Sequence, residues 1–336
     1  MMMEVKGVKF GFKALLNSSF GLLLLLVGMW VQADAMVPAA REAATASKSI
    51  TVVLSGDSGL YQRSLAALKR HLPTTMEVES LTLEQIASGE RQLSANDFVV
   101  TVGAKAAEQV MATATEARQL SILLPSSTFY DLAKQYPQSA QRLDGGRLSA
   151  IFLDQPARRQ LNLARLINPN LKAIGTLYDI RSQQLVQQLS EVAGGTDIEF
   201  RSRRLLPSDN PIAVLREMYR DIDVFLAVPG KYIFNRSTAK WMLYLSYRNR
   251  KPLLGFSEDY VTAGALAAVY SNPEQIAGEA GSWLQECLDS GKPLPPPSHP
   301  SIFSVSVNRE VASRMGLGSL IAARLESQLK AQEQLP

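Results

Sequence analysis

The sequence predicts an α/β chain of two doubly wound, parallel-sheet lobes, and three observations carry that expectation. Short β-branched or apolar runs recur along the chain, and most are followed by a stretch with helical spacing. That alternation is what right-handed β–α–β crossovers and parallel sheets require, so all-α and all-β classes are excluded. The 336 residues, 46% of them hydrophobic, suffice for one large or two medium cores. Eight such runs with several helices between them fit two lobes better than one sheet.

Composition narrows the function classes. Charged residues make up 20% of the chain, and 35 Lys+Arg against 31 Asp+Glu leave +4. Charge-driven disorder is therefore disfavoured, and there is no strong basic field of the kind nucleic-acid binding uses. One Cys and two His exclude an intrachain disulfide framework and Cys/His zinc sites.

In chain order, Lys6, Lys9 and Lys13 precede an apolar run from Phe20 to Val31, followed by Ala33-Asp34-Ala35. A basic region, an apolar region and a small-x-small site make a secretory signal peptide over 1–35. The alternative is an uncleaved anchor, because Ala14 to Val31 approaches spanning length; both readings export the rest. No Cys follows the apolar run, which disfavours a lipid anchor. Residues 36–48, rich in Ala, Ser and Thr, read as a flexible tether.

The strand candidates are Ile50 to Leu54, Phe98 to Val102, Ser121 to Leu124, Leu148 to Leu153, Ala173 to Tyr178, Ile198 to Arg201, Val224 to Val228 and Pro252 to Phe256. Leu60, Leu65, Leu68 and Leu72 share one helical face, as do Leu161, Ala164 and Leu166 with Ile167 beside them. Asn210-Pro211 starts a helix, Gly194-Gly195 ends one, and Lys292 to Pro300, with five prolines, is a stiff connection. Arg201, Arg203 and Arg204 suggest a solvated edge strand. The chain is expected to change lobes near Leu148 and return near Ala268. That gives 49–148 plus 269–292 as lobe 1, 149–268 plus 300–322 as lobe 2, and 323–336 as a C-terminal tail.

No catalytic constellation stands out. There is no G-x-G-x-x-G after a strand, no Walker sequence and no G-x-S-x-G elbow. His71 near a helix end and His299 in the proline-rich connection lie far apart without a partner motif and read as surface residues, and Cys287 as a small half-buried hydrophobe. Asn235-Arg236-Ser237 fits a glycosylation sequon that short matches often produce by chance. Trp241, Tyr244 and Tyr247 recur at helical spacing, which favours a core role over an interface.

The pattern instead offers a ligand cleft, since ligands of parallel α/β sheets gather at the carboxyl ends of strands. Those ends carry Ser55, Gly56, Asp57 and Ser58; Gly103, Ala104 and Lys105; Ser126 and Ser127; Asp154; Asp179; Gly230 and Lys231; Ser257 and Glu258. Amides and hydroxyls at helix N-termini suit a carboxylate, and Asp179 or Glu258 could pair with an amine. The competing reading makes at least half of the Ser and Asp residues plain N-caps.

An ordered set of motifs carries a family resemblance. It comprises Ser149-Ala150-Ile151-Phe152, Gln160 to Asn170, Ala173 to Tyr178, Asp223 to Pro229, Lys251 to Gly255, Ala263 to Ala268, Val307 to Ala312 and Met315-Gly316-Leu317. Upstream, Asp97 to Ala107 belongs to the same series. In this order the chain resembles ABC transporter substrate-binding proteins of the type I periplasmic-binding fold, in the tryptophan/tyrosine-uptake group. The resemblance implies a crossed hinge between two lobes that close on a small ligand, with the pocket on the turns after Leu54, Val102, Leu124, Tyr178, Val228 and Phe256. Two turns depart from the family: Gly103-Ala104-Lys105 stands where Gly-Thr-Pro is usual, and Gly230-Lys231-Tyr232 replaces a polar Asp-Asn pair. A lysine in either turn would alter the pocket's charge, so a more acidic ligand, or none, stays open.

The leading expectation is a periplasmic, monomeric solute-binding protein that delivers a small polar or aromatic, amino-acid-like ligand to an ABC permease of the inner membrane. It uses no cofactor, metal or catalytic residue. The alternative is a ligand-free or regulatory periplasmic module of the same fold that contacts an envelope protein. An α/β hydrolase is the third reading, and it lacks a base, since neither His is placed to supply one.

Overall fold

The computed structural model describes residues 49–334 apart from 90–92, 96, 114, 231, 232, 234 and 235. The expected signal peptide and tether lie outside the described residues, as does Lys231.

The first lobe runs β1 (Ser49–Leu54), α1 (Gly59–His71), β2 (Glu77–Leu81), α2 (Leu83–Ser88), β3 (Phe98–Val102), α3 (Ala104–Ala112), β4 (Arg118–Ile122), α4 (Ser126–Gln135), α5 (Gln138–Asp144) and β5 (Leu148–Ile151). Its sheet is all parallel in the order β2-β1-β3-β4-β5. Successive side chains of a strand point to opposite faces, and both faces are covered here. Ile50, Val52, Phe98 and Val100 face the core under α1, while Val53 and Val99 face the core with Ile86, Ala106 and Val110 of α2 and α3. Apolar side chains buried this completely stabilise the fold by about 1.5–3 kcal/mol each. β4 starts three residues before the apolar run and ends two before its end, where Leu123 adopts φ 56° and stops the extended backbone.

The chain then builds α6 (Ala157–Ile167), β6 (Ala173–Tyr178), α7 (Gln183–Gly194), β7 (Glu199–Arg204), α8 (Pro211–Met218), β8 (Val224–Leu226), α9 (Arg236–Asn249), β9 (Leu253–Gly255), α10 (Glu258–Thr262) and β10 (Ala267–Tyr270). After α11 (Pro273–Ser290) come β11 (Ser304–Val307), α12 (Arg309–Arg314) and α13 (Ala322–Glu333). The second sheet is ordered β11-β10-β9-β8-β6-β7, parallel except for the antiparallel β10–β11 pair. Val224 and Leu226 point to one core and Phe225 to the other, the same two-faced burial as in the first lobe. The arginine-rich β7 lies on the edge, with Arg201 paired to Glu199 and Asp221. On α9, Trp241 is half-buried, but Tyr244 and Tyr247 are about half exposed, so the aromatic face expected in the core is largely outside it.

Leu148, near which the sequence places the change of lobe, opens β5 of the first sheet, and Ala268 lies in β10 of the second. α11 returns to the first lobe, where Ile276, Ala280 and Leu284 pack in the core under β1. The region expected as a tail from 323 carries α13, whose Leu325 and Leu329 join the second lobe's core.

Three passages between the sheets form the crossed hinge, at 152–156, 271–272 and 299–303. Ile151 pairs in parallel with Ser298, and Phe152 N donates to Ser298 O at 2.9 Å. Gln155 Nε2 donates to Ser271 Oγ (3.0 Å), which donates to Ile302 O (2.6 Å), so one polar chain links all three passages. The buried Glu279 of α11 accepts from the backbone N and the hydroxyl of Ser301. Buried polar groups in such a chain must be paired, and these are.

Candidate functional site

Where the strand ends of both lobes meet the hinge, the chain encloses a cavity of about 770 Å³, a volume typical of small-molecule sites. The first lobe contributes Arg63 and the start of α4, the hinge Asp154, Gln155 and Ser271, and the second lobe Arg181, Phe256 and Tyr270. The composition is mixed: two aromatic rings, three side-chain amides, hydroxyls and charges of both signs.

Of the residues singled out from sequence, Ser126, Ser127, Asp154, Gly230, Ser257 and Glu258 line this cavity. Ser55, Gly56, Asp57, Ser58, Gly103, Ala104 and Lys105 form two neighbouring turns of the first lobe that stand outside its lining. Asp179 is buried behind Gly230, where an added Cβ would come within 2.9 Å of its Oδ2. Arg63, Gln155, Arg181, Tyr270, Asn272 and Glu274 are lining residues that the sequence did not single out. Asn272-Pro273 carried the same cap-then-proline signal as Asn210-Pro211, and it does start α11, with a capping box to Gln275.

At three of the turns expected to receive a ligand anion, the chain itself already supplies an acceptor. The first N–H groups of a helix have no partner within it and attract acceptors and negative charge. At α4, Asp154 Oδ1 accepts from Ser126 N at 2.6 Å and Oδ2 from Ser126 Oγ at 2.7 Å. At α3, Ser55 Oγ accepts from Ala106 N at 2.9 Å. Ahead of α7, Asp179 Oδ1 accepts from Arg181 N at 2.9 Å and Ser182 N at 3.3 Å. Gly103 makes the α3 arrangement feasible: its φ is 90°, and a Cβ there would stand 2.7 Å from Ser55 Oγ and 2.9 Å from Tyr61 Oη.

Burial pushes the Asp154 carboxyl up, but the hydrogen bonds from His299 and Ser126 more than offset it and hold it below the usual aspartate range. His299, expected as a surface residue without a partner motif, has its Nε2 3.2 Å from Asp154 Oδ2, and its ring meets Phe152 edge-on at 5.3 Å. An ionised carboxylate only accepts, so that nitrogen carries a proton. Ser126 Oγ directs its own proton to Asp154, which is not the serine–histidine contact that activates a nucleophile. At the rim, Arg63 pairs with Glu274 at 3.2 Å, and Tyr270 Oη lies 3.0 Å from Ser306 Oγ. Among the described residues no group of three or more His, Cys, Asp or Glu could hold a metal. Cys287, expected to be half-buried, is fully buried, with its sulfur 3.4 Å from Pro293 O.

A family model described as ABC transporter substrate binding protein matches residues 77–319. No curated protein matches the sequence. Among solved structures, the chain is similar to the ligand-free, open form of a substrate-binding protein with adhesive properties from Clostridium difficile. That pair has a TM-score of 0.65 and 15% identity over 80% of this chain and 95% of the other. A conserved domain protein from Vibrio cholerae gives 0.56 and 18% over 84% and 98%, and an ABC domain in complex with L-Trp from Streptococcus pneumonia 0.55 and 16% over 80% and 95%. At these identities the likeness establishes the two-lobed fold.

Proposed function

Because this chain belongs to the ABC transporter substrate-binding protein family, we propose that it captures a small polar or aromatic, amino-acid-like solute in the cavity between its lobes and presents it to an ABC permease. The observation that carries this reading is the cavity of about 770 Å³, lined by both lobes and by Asp154, Gln155, Ser271 and Asn272 of two hinge passages. A ligand held there touches both lobes at once, so binding favours the closed arrangement, and closure is the functional step. The candidate contacts are Ser126, Ser127, Asp154, Gly230, Ser257 and Glu258 together with Gln155, Arg181, Phe256 and Tyr270.

We also infer export, from the basic region, apolar run and Ala33-Asp34-Ala35. Among the described residues no helix is long and apolar enough to cross a membrane. N-terminal sequencing of the protein from its native envelope should find Met36 first; an intact N-terminus would support the uncleaved anchor.

Thermal melting against a panel of amino acids, amines, small acids and sugars tests the binding reading. One or more members should raise the midpoint, and no shift with any of them would contradict it.

A further inference from the structure

We propose that Asp154 sets the specificity of this cleft: it fills the anion site at the α4 N-terminus with the protein's own carboxylate, so the ligand enters with an ammonium group against Asp154 and not with a carboxylate on α4. The inference rests on the cleft reading above and adds the charge of the group that is recognised.

The geometry supplies the argument. An ionised carboxylate has about four lone-pair positions. Ser126 N, Ser126 Oγ and His299 Nε2 occupy three, at 2.6, 2.7 and 3.2 Å. The Asp154 side chain is only 9% exposed, and Asp154 lines the cavity. One acceptor position therefore remains for a donor arriving from the ligand. A ligand carboxylate at the same place would meet Asp154 and lose the Ser126 donors that would stabilise it, while an ammonium would gain a charge-assisted hydrogen bond in a sheltered site.

The pattern repeats around the site. In a turn outside the lining, Ser55 takes the Ala106 amide of α3, and Asp179 takes the Arg181 and Ser182 amides ahead of α7, so at these turns too the chain supplies its own acceptor. Glu258, Asp259 and Glu274 also line the cavity, and of the lining cations Arg63 is paired with Glu274. Among the described residues, Arg181 is the other lining cation.

Two matched series separate the outcomes: L-tryptophan, tryptamine and indole-3-propionate, and L-norleucine, pentylamine and hexanoate. Titration calorimetry of the full chain should show binding by members that carry the amine and none by the two acids that lack it. Asp154→Asn, which keeps the side chain's shape, should weaken amine binding about tenfold or more. Indole-3-propionate or hexanoate binding as tightly as its amine counterpart would overturn the inference while leaving the cleft reading intact. Silence from every member of both series and of the wider solute panel would overturn both.

A second arm needs no ligand. Asp154→Ala vacates the α4 N-terminus, so millimolar sulfate, at ionic strength matched with chloride, should raise the melting midpoint of the variant and not of the wild type. Should Asp154→Ala fail to fold, Asp154→Gly with Ser126 retained makes the same test. Equal response of variant and wild type to sulfate would overturn the claim that Asp154 occupies an anion site.

Discussion

The Arg159 guanidinium holds the Glu333 carboxylate at two points, Nε to Oε1 at 2.5 Å and Nη2 to Oε2 at 2.7 Å, and so ties the end of α13 to α6 beside the hinge. Arg159 is 4% exposed and Glu333 33%. The same arginine donates to Gln155 Oε1 and Pro300 O and stacks 3.9 Å over Phe303. Arg159→Ala should therefore cost about 3 kcal/mol or more, while Glu333→Gln, at the more solvated end, should cost about 1 kcal/mol. Urea unfolding midpoints of the two variants check the order.

Gly103→Ala should destabilise by about 1–3 kcal/mol, because a side chain at φ 90° is strained and its Cβ falls within 2.7 Å of Ser55 Oγ. Adding Ser55→Ala removes that contact and should recover only part of the loss. Full recovery in the double variant would show that the backbone conformation is unimportant here.

Acid unfolding should depend on Asp154. Its folded pKa is depressed, so the stability it contributes is present above the ordinary aspartate value of about 4 and is lost as the pH falls through the folded value. Asp154→Asn should flatten stability against pH on that acid limb. Melting midpoints from pH 7 down to about 3 make the comparison.

Burial pushes the Cys287 thiol up, with Glu286 adding to the shift. A thiol reagent should therefore modify the native protein slowly and the urea-unfolded protein at the rate of a free cysteine. Fast native labelling would place Cys287 outside the core.

Much of the fold was readable because two-faced burial leaves continuous apolar runs. Phe98 to Val102 is buried at every position, and such a run needs no partner to be recognised. The strands β2, β10 and β11 are less legible. In β2, Glu77 and Glu79 interrupt the edge, and in β11 Ser304 and Ser306 alternate with the valines, so neither presents an apolar run. β10, Ala-Ala-Val-Tyr, is buried but small, and its sequence alone equally suits a helix.

The cleft was legible as a set of strand ends, but its chemistry was not. The donors of Ser126 are claimed by a residue 28 positions away, and Asp154 is in turn held by His299 across 145 positions. No local spacing encodes those contacts; they exist only once β5 and the hinge bring three distant segments together. The same holds for Arg63 and Glu274, which meet because α1 packs on α11.

The most direct test fills the cavity. Ser127 lines it at the start of α4, and Ser127→Trp would project a large ring into the space. Titration calorimetry with the solute that most raises the wild-type midpoint should give one-to-one binding to the wild type and none to Ser127→Trp. Undiminished binding by a folded Ser127→Trp would contradict the assignment of the interlobe cavity as the ligand site.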